Sequence, residues 1–182
     1  MVPVNLPGLI GWAADLYRVT GNARAIEAAK LMRAAVPGRP ADPPQALSVL
    51  SHLPSVAMRH ELAGLPWTDG GFSLPAAIKG RNAYAELVGP EGPVVSTKCR
   101  FGLYLQAPDC LYPPHSHAAE ELYLLLDGSA EWQLDESEPF LPPSPGLVHH
   151  MPWQKHAMRT GASPLLALWV WLGKISYGTY SI

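Results

Sequence analysis

From Leu6 to about Leu65 the apolar positions recur at three- and four-residue spacing. Leu9, Trp12, Ala13, Leu16 and Tyr17 make one stripe, and Ala25, Ile26, Ala29, Leu31, Met32 and Ala35 another. Such stripes predict amphipathic helices. Asn22 is placed to cap the second, Pro37-Gly38 to end it, and Asp42-Pro43-Pro44 to open a third with proline in its first turn. His52 and His60 fall in this helical part, where an isolated histidine is ordinarily solvated or hydrogen-bonded. After Pro66-Trp67-Thr68-Asp69-Gly70-Gly71 the texture changes to short β-rich runs separated by Gly and Pro. Strands are predicted at Ala83 to Val88, Val94 to Gln106, Leu122 to Asp127, Ala130 to Leu134, Leu147 to His150, His156 to Thr160, Leu165 to Leu172 and Ile175 to Ser181.

With no long helices between these runs, the pattern predicts an antiparallel sandwich or barrel rather than a parallel sheet. The chain divides accordingly into an N-terminal helical segment, 1–80, packing on a β-barrel, 81–182. Proline punctuates the barrel: Pro139 to Gly146 (PFLPPSPG) is excluded from any central strand, and Gly89 to Pro93 (GPEGP) predicts a hairpin turn.

Composition narrows the functional classes. Charged residues make up 15% of the 182 positions and hydrophobic ones 48%, which excludes a disordered chain. A formal net charge of -2 provides no basic field for a phosphate backbone, so no nucleic-acid partner is expected. The longest apolar runs, such as Pro164 to Gly173, are too short to span a membrane. The N-terminus has no basic n-region and places Asp15 where a signal peptide would still be apolar, so the expected location is cytoplasmic. Two cysteines, Cys99 and Cys110, without CxxC spacing predict reduced, buried thiols.

Five of the seven histidines lie between His115 and His156. In Tyr112-Pro-Pro-His115-Ser-His117-Ala-Ala-Glu-Glu121-Leu-Tyr123, residues two apart in a strand share a face. His115 and His117 therefore project together, as do Glu121 and Tyr123 on the next strand, with Ala118 to Glu120 as the connection and Leu122, Leu124 and Leu126 on the opposite face. Neutral imidazoles plus one carboxylate are the ligand set of catalytic divalent-metal sites, which hold the ion and keep positions open. A further histidine from later in the barrel would complete the set; His156 is the best candidate, with His150 six residues before it.

The block HxHxxxE from His115 to Glu121, followed by six residues and Gly128, resembles the first cupin motif. The second motif is looser: Gly146 stands for its glycine, Ser144 replaces the proline, and the spacing to His156 is longer than usual. The resemblance implies a cupin barrel, a double-stranded β-helix of jelly-roll type. Within the cupins the chain looks like the dimethylsulfoniopropionate (DMSP) lyases, on Tyr112 five residues before His117, on HxHxxxExY from His115 to Tyr123, and on His150 followed by His156-Ala-Met-Arg-Thr160. One departure is Leu134 to Leu147, acidic and proline-rich where the family has a glycine-rich hairpin.

What the resemblance implies is a carbon-sulfur lyase that cleaves DMSP to dimethyl sulfide and acrylate by base-initiated β-elimination. The metal ligands would be His115, His117, Glu121 and His156. The ion would come from Zn, Fe(II), Mn, Co or Ni, which such donors do not discriminate. Tyr123 is the first choice of base and Tyr112 the second, a nearby cation favouring the phenolate. A sulfonium has no hydrogen-bond donors, so aromatic faces suit it; Trp169 and Trp171, two apart in the apolar run ALWVWLG, share a face that could line the pocket. His150 joins Trp171 and Trp169 as a substrate-binding candidate. The partner expected is a small zwitterionic or carboxylate substrate, and the family's habits allow a homodimer. Two other cupin functions stand as alternatives: an Fe(II)-dependent dioxygenase acting on a small organic acid, and a sugar-binding or isomerase-type barrel.

Overall fold

Two helices precede the β-structure. A computed structural model describes residues 6–36, 65–68, 74–143 and 146–182. The expected third helix, His52, His60, Gly70-Gly71 and Ser144 lie outside these residues. Helix α1 (Leu6–Val19) has Pro7 in its first turn and buries Ile10, Ala13, Ala14, Leu16 and Tyr17. Helix α2 (Ala23–Ala35) begins where Asn22 Oδ1 accepts from the backbone amides of Arg24 (2.9 Å) and Ala25 (3.1 Å), which satisfies two of the donors that a helix N-terminus leaves unpaired. An ion pair from Arg33 of α2 to buried Asp15 of α1, 2.5 Å, joins the two helices.

Nine strands follow: β1 (Asn82–Gly89), β2 (Val94–Val95), β3 (Cys99–Gln106), β4 (Leu111–His115), β5 (Ala119–Asp127), β6 (Ala130–Leu134), β7 (Leu147–His150), β8 (His156–Thr160) and β9 (Leu165–Gly173). They form a six-stranded sheet in the order β2-β1-β3-β9-β5-β7 and a three-stranded sheet in the order β4-β8-β6. Every pairing within a sheet is antiparallel except β1 with β2. This is the mainly β cupin architecture, preceded by helices, that the sequence predicts.

The large sheet is covered on both faces. Leu122, Leu124, Leu168, Val170 and Leu172 pack with α1 and α2 in one core, whereas Tyr123, Leu125, Trp169 and Trp171 belong to a second core inside the barrel. Burial on both faces is why Leu165 to Leu172 reads as a continuous apolar run instead of an alternating one. Tyr17 of α1 donates its hydroxyl to the Leu122 carbonyl, 2.9 Å, and thereby ties the helical layer to the strand that carries Glu121.

Four local expectations change. Val94 to Gln106 divides into β2 and β3, and GPEGP is no hairpin, since Val88 pairs with Val94 in parallel register. β5 begins at Ala119, which shortens the connection after His117. Ile175 to Ser181 is not a strand: Ser176 caps a 3-10 turn, Tyr177–Thr179, and only Ser181 pairs in ladder fashion, with Ser116.

The motif glycine, Gly128, has a backbone reason. It lies in the β5–β6 turn at φ +75°, and a Cβ there would stand 1.8 Å from the Pro164 carbonyl oxygen. Left-handed backbone is costly for any L side chain, and this neighbour is main chain that cannot swing aside. Gly128→Ala is therefore expected to lower stability by about 2–4 kcal/mol; a urea midpoint equal to that of the wild type would contradict this account.

Candidate metal centre

Cross-strand register builds the site. In the large sheet, Arg100 of β3, Trp171 of β9, Glu121 of β5 and His150 of β7 are successive ladder partners in one row. Both neighbours of Glu121 hold its carboxylate: the Trp171 indole N–H donates to Oε1 at 2.7 Å and His150 Nδ1 lies 3.1 Å from Oε2. The tautomer of His150 follows from its other contact. Trp132 Nε1–H is a donor only, so His150 Nε2, 3.0 Å away, accepts, and Nδ1 carries the proton given to Glu121.

The turn between β4 and β5 brings His117, and β8 of the opposite sheet brings His156. His117 Nε2 and His156 Nε2 each lie 3.2 Å from Glu121 Oε2, and donor atoms of the three residues all fall within 4.8 Å of one another. The other ring nitrogens face main-chain carbonyls, His117 Nδ1 to Ala119 at 3.0 Å and His156 Nδ1 to Gln154 at 2.9 Å. A carbonyl only accepts, so Nδ1 carries the proton and Nε2 presents its lone pair.

Two imidazole lone pairs and a carboxylate oxygen thus face one another in a buried space, an arrangement that repels unless a cation or an added proton enters. His156 Nε2 is buried without a hydrogen-bond partner. Nitrogen and oxygen ligands at about 2.0–2.2 Å from a tetrahedral ion stand roughly 3.3–3.5 Å apart, close to the separation seen here. His117, Glu121 and His156 therefore fit a metal ion. Burial opposes ionisation of Glu121, yet the surrounding imidazoles, His117 first, outweigh it and hold this carboxyl well below the usual range.

Of the four expected ligands, His117, Glu121 and His156 come together, and His115 stands beside them. Pro113 and Pro114 have no N–H for the ladder, and a bulge falls there, between the pairs Tyr112–Met158 and His115–His156. β4 ends at His115, so His117 follows in the turn before β5, and the rings of His115 and His117 lie 6.4 Å apart. His115 lines the cavity beside the three-residue group, with Nδ1 on the Pro113 carbonyl at 2.9 Å and its ring stacked on Tyr112 at 4.2 Å. His150, named as a substrate-binding candidate, stands behind Glu121. It is fully buried, spends both nitrogens on Trp132 and Glu121, and does not line the cavity. His149 points elsewhere, bonding Glu120 at 2.7 Å, and Glu120 in turn pairs with Arg24 of α2.

Above the His–Glu group lies a cavity of about 450 Å³, its open mouth included. Six of the seven tyrosines line it: Tyr84, Tyr104, Tyr112, Tyr123, Tyr177 and Tyr180, together with Trp169 and Trp171. Tyr112 and Tyr123 stand where the sequence places them, beside the histidines. Burial first, and for Tyr123 the Glu121 charge next, raises both phenols well above their ordinary value; Tyr112 also shares a 2.5 Å hydrogen bond with the Tyr180 hydroxyl. Sequence reasoning missed Tyr84, Tyr104, Tyr177 and Tyr180. Tyr84 and Tyr104 are direct partners on β1 and β3, so alternation applied across both strands would have found them. Tyr177 and Tyr180 sit on the segment read as a strand, and nothing local marks them.

The family of dimethylsulfoniopropionate lyases matches residues 48–167 of the chain. A putative dimethylsulfoniopropionate lyase, DddL, from Cereibacter sphaeroides is 33% identical over 121 residues, 65% of this chain and 50% of that protein. The dimethylsulfoniopropionate lyase DddQ from Ruegeria pomeroyi is 36% identical over 109 residues, 59% of this chain and 54% of that protein. The chain thus spans about half the length of these curated relatives. The crystal structure of the Ruegeria pomeroyi DddQ superposes with a TM-score of 0.61 at 29% identity, covering 70% of this chain and 67% of that one.

Two outcomes follow from the geometry. Trp171→Phe keeps an aromatic ring but frees Glu121 Oε1, and metal affinity is expected to fall about 10–100-fold, read by competition with a chromogenic chelator. Burial, then neighbouring His156, pushes His150 down to about 3. The unfolded chain takes up that proton near pH ~6.5. The stabilisation from neutral His150 is thus complete above that pH and is lost as pH falls toward the folded value. Metal-free protein should melt at progressively lower temperature below about pH 6.5, and the slope should be shallower in His150→Gln; equal slopes would exclude His150 as the source.

Proposed function

The chain belongs to the dimethylsulfoniopropionate lyase family, and from that premise we propose that it is a metal-dependent carbon-sulfur lyase, cleaving DMSP to dimethyl sulfide and acrylate. The observation that carries this reading is the set of lone pairs from His117, Glu121 and His156 beneath a cavity walled by aromatic rings and phenol hydroxyls. In this reading His117, Glu121 and His156 hold the ion, drawn from Zn, Fe(II), Mn, Co or Ni, with His115 beside them. Such an ion supplies Lewis acidity toward the substrate carboxylate, stabilising the charge that develops there as the adjacent proton leaves.

Tyr123 is the first choice of base and Tyr112 the second. Tyr123 leaves the same face of β5 as Glu121, two residues on, and lies across the ladder from Trp169. Burial and the Glu121 carboxylate keep it protonated until positive charge is brought beside it, which couples its basicity to a filled site. Its phenolate oxygen takes the proton from the carbon next to the carboxylate; that electron pair forms the new double bond as the carbon–sulfur bond breaks and dimethyl sulfide leaves with the bonding pair.

The walls suit the sulfonium end. The indole N–H of Trp171 is spent on Glu121 and that of Trp169 on the Leu103 carbonyl at 3.1 Å, so the two rings offer faces rather than donors. A cation without hydrogen-bonding hydrogens is held well by such faces.

The test is turnover of DMSP by metal-loaded protein under argon, with headspace dimethyl sulfide and acrylate measured together and bound metal identified by elemental analysis. Equal amounts of the two products are expected without oxygen. Tyr123→Phe should cut kcat about 10²–10⁴-fold while metal content is retained. Absence of dimethyl sulfide from fully loaded protein would overturn the reading.

A further inference from the structure

A buried arginine lies outside the mechanism. Arg100 of β3 is 3% exposed, and it meets Glu86 of β1 at 2.5 Å and Glu91. Both acidic partners are already engaged, so the guanidinium is not open to a substrate carboxylate. Its remaining contacts go to the segment after β9: Nε donates to the Ile175 carbonyl at 2.6 Å, and the guanidinium lies 3.7 Å over the Tyr177 ring. The Tyr177 hydroxyl donates to Glu86 Oε2 at 2.6 Å. Beyond Tyr177 the segment is fastened again, this time to the histidine loop. Ser116 and Ser181 exchange two backbone hydrogen bonds, 2.8 and 2.9 Å, and Thr179 Oγ1 accepts from the Ala118 amide at 3.1 Å. Residues 174–181 thus form a strap across the cavity, fixed at both ends, with Tyr177 turned inward.

Tyr177 closes a ring of four aromatic side chains. Centroids are 5.9 Å apart for Tyr84 and Trp169, 6.0 Å for Trp169 and Trp171, 5.3 Å for Trp171 and Tyr177, and 6.1 Å for Tyr177 and Tyr84. Three of these rings come from the sheet; the fourth comes from the strap. A cation is attracted to an aromatic face within about 6 Å of its centroid, so a small onium group resting on one ring is within reach of its neighbours.

We propose that Tyr84, Trp169, Trp171 and Tyr177 form an onium-binding box whose size is set by the strap, and that Arg100 is the positioning residue that holds Tyr177 as its fourth wall. The proposal rests on the lyase reading for its substrate, and it adds the determinant of how large an alkyl sulfonium the pocket admits. Glu86 serves Arg100 as counter-ion and Tyr177 as hydrogen-bond acceptor, so the wall is fixed from the sheet without spending any cavity-facing group.

The test compares the wild type with Tyr177→Ala, Tyr177→Phe and Arg100→Lys, all metal-loaded. Tyr177 is only half-buried and Tyr177→Phe keeps the ring, so the comparison survives if the Arg100 variant folds poorly. Tyr177→Ala should raise KM for DMSP about tenfold with kcat within about threefold, and should shrink the preference for dimethyl over diethyl sulfonium substrate about tenfold. Tyr177→Phe and Arg100→Lys should move the same quantities less and in the same direction. Independently of turnover, quenching of tryptophan fluorescence by trimethylsulfonium should need several-fold more of the ion in Tyr177→Ala. Unchanged KM, preference and quenching in Tyr177→Ala would overturn the box, as would a loss confined to kcat. If wild-type protein releases no dimethyl sulfide, the lyase reading fails alone, and the fluorescence titration still decides the box.

Discussion

One buried carboxylate organises this protein. Glu121 sits in the middle of a sheet covered on both faces, where an ionised group is tolerated only if its oxygens are satisfied. Its ladder neighbours supply that: Trp171 donates to one oxygen and His150 to the other. What they leave is an oxygen edge facing the lone pairs of His117 and His156. That arrangement suits a cation, which makes the cluster a candidate metal site. Trp132, by donating to His150, fixes the proton on the side where Glu121 needs it. The candidate metal site is therefore an outcome of strand register as much as of its His and Glu side chains.

The same alternation that turns Glu121 and Tyr123 inward turns Leu122 and Leu124 outward, onto α1 and α2. The helical layer serves as a lid on the back of the site strand. It buries the face of β5 opposite the metal ligands, and Tyr17 reaches the Leu122 carbonyl between Glu121 and Tyr123. On the outer edge Arg24 and His149 share Glu120, which anchors α2 to the strand one residue before the ligand. Three consecutive residues, Glu120, Glu121 and Leu122, thus join the helices, the metal group and the main-chain scaffold.

The cavity shows a division of labour among aromatic groups. Trp169 and Trp171, whose indole N–H groups are already spent, present bare faces, whereas Tyr112 and Tyr123 bring phenol rings beside His115 and His150. In the proposed lyase reading, one end of the pocket takes the sulfonium and the other carries the acid–base step. Arg100, for all its burial, neutralises Glu86 and stiffens the wall instead of entering the cavity.

Much of this was legible in the chain. Period-two alternation along HxHxxxExY marks Glu121 and Tyr123 as one face and the leucines as the other, and three- and four-residue spacing with Asn22 as cap marks the helices, because both depend only on local backbone geometry. Residue chemistry separated His and Glu as a candidate metal set, and the resemblance to the lyase family brought in the tyrosines as candidate bases. Register was not legible. That His150 braces Glu121, and that His115 stands beside the His117–Glu121–His156 group, depend on which residues face one another across strands and on where β4 ends. The strap was least legible of all: Tyr177 and Tyr180 reach the cavity through contacts with Arg100, Glu86, Ser116 and Tyr112, each more than 60 positions away in sequence. Local pattern determines what a segment is able to become and which face it buries; only the closed barrel decides which distant side chains meet, because that choice is made by packing and not by the chain's own period.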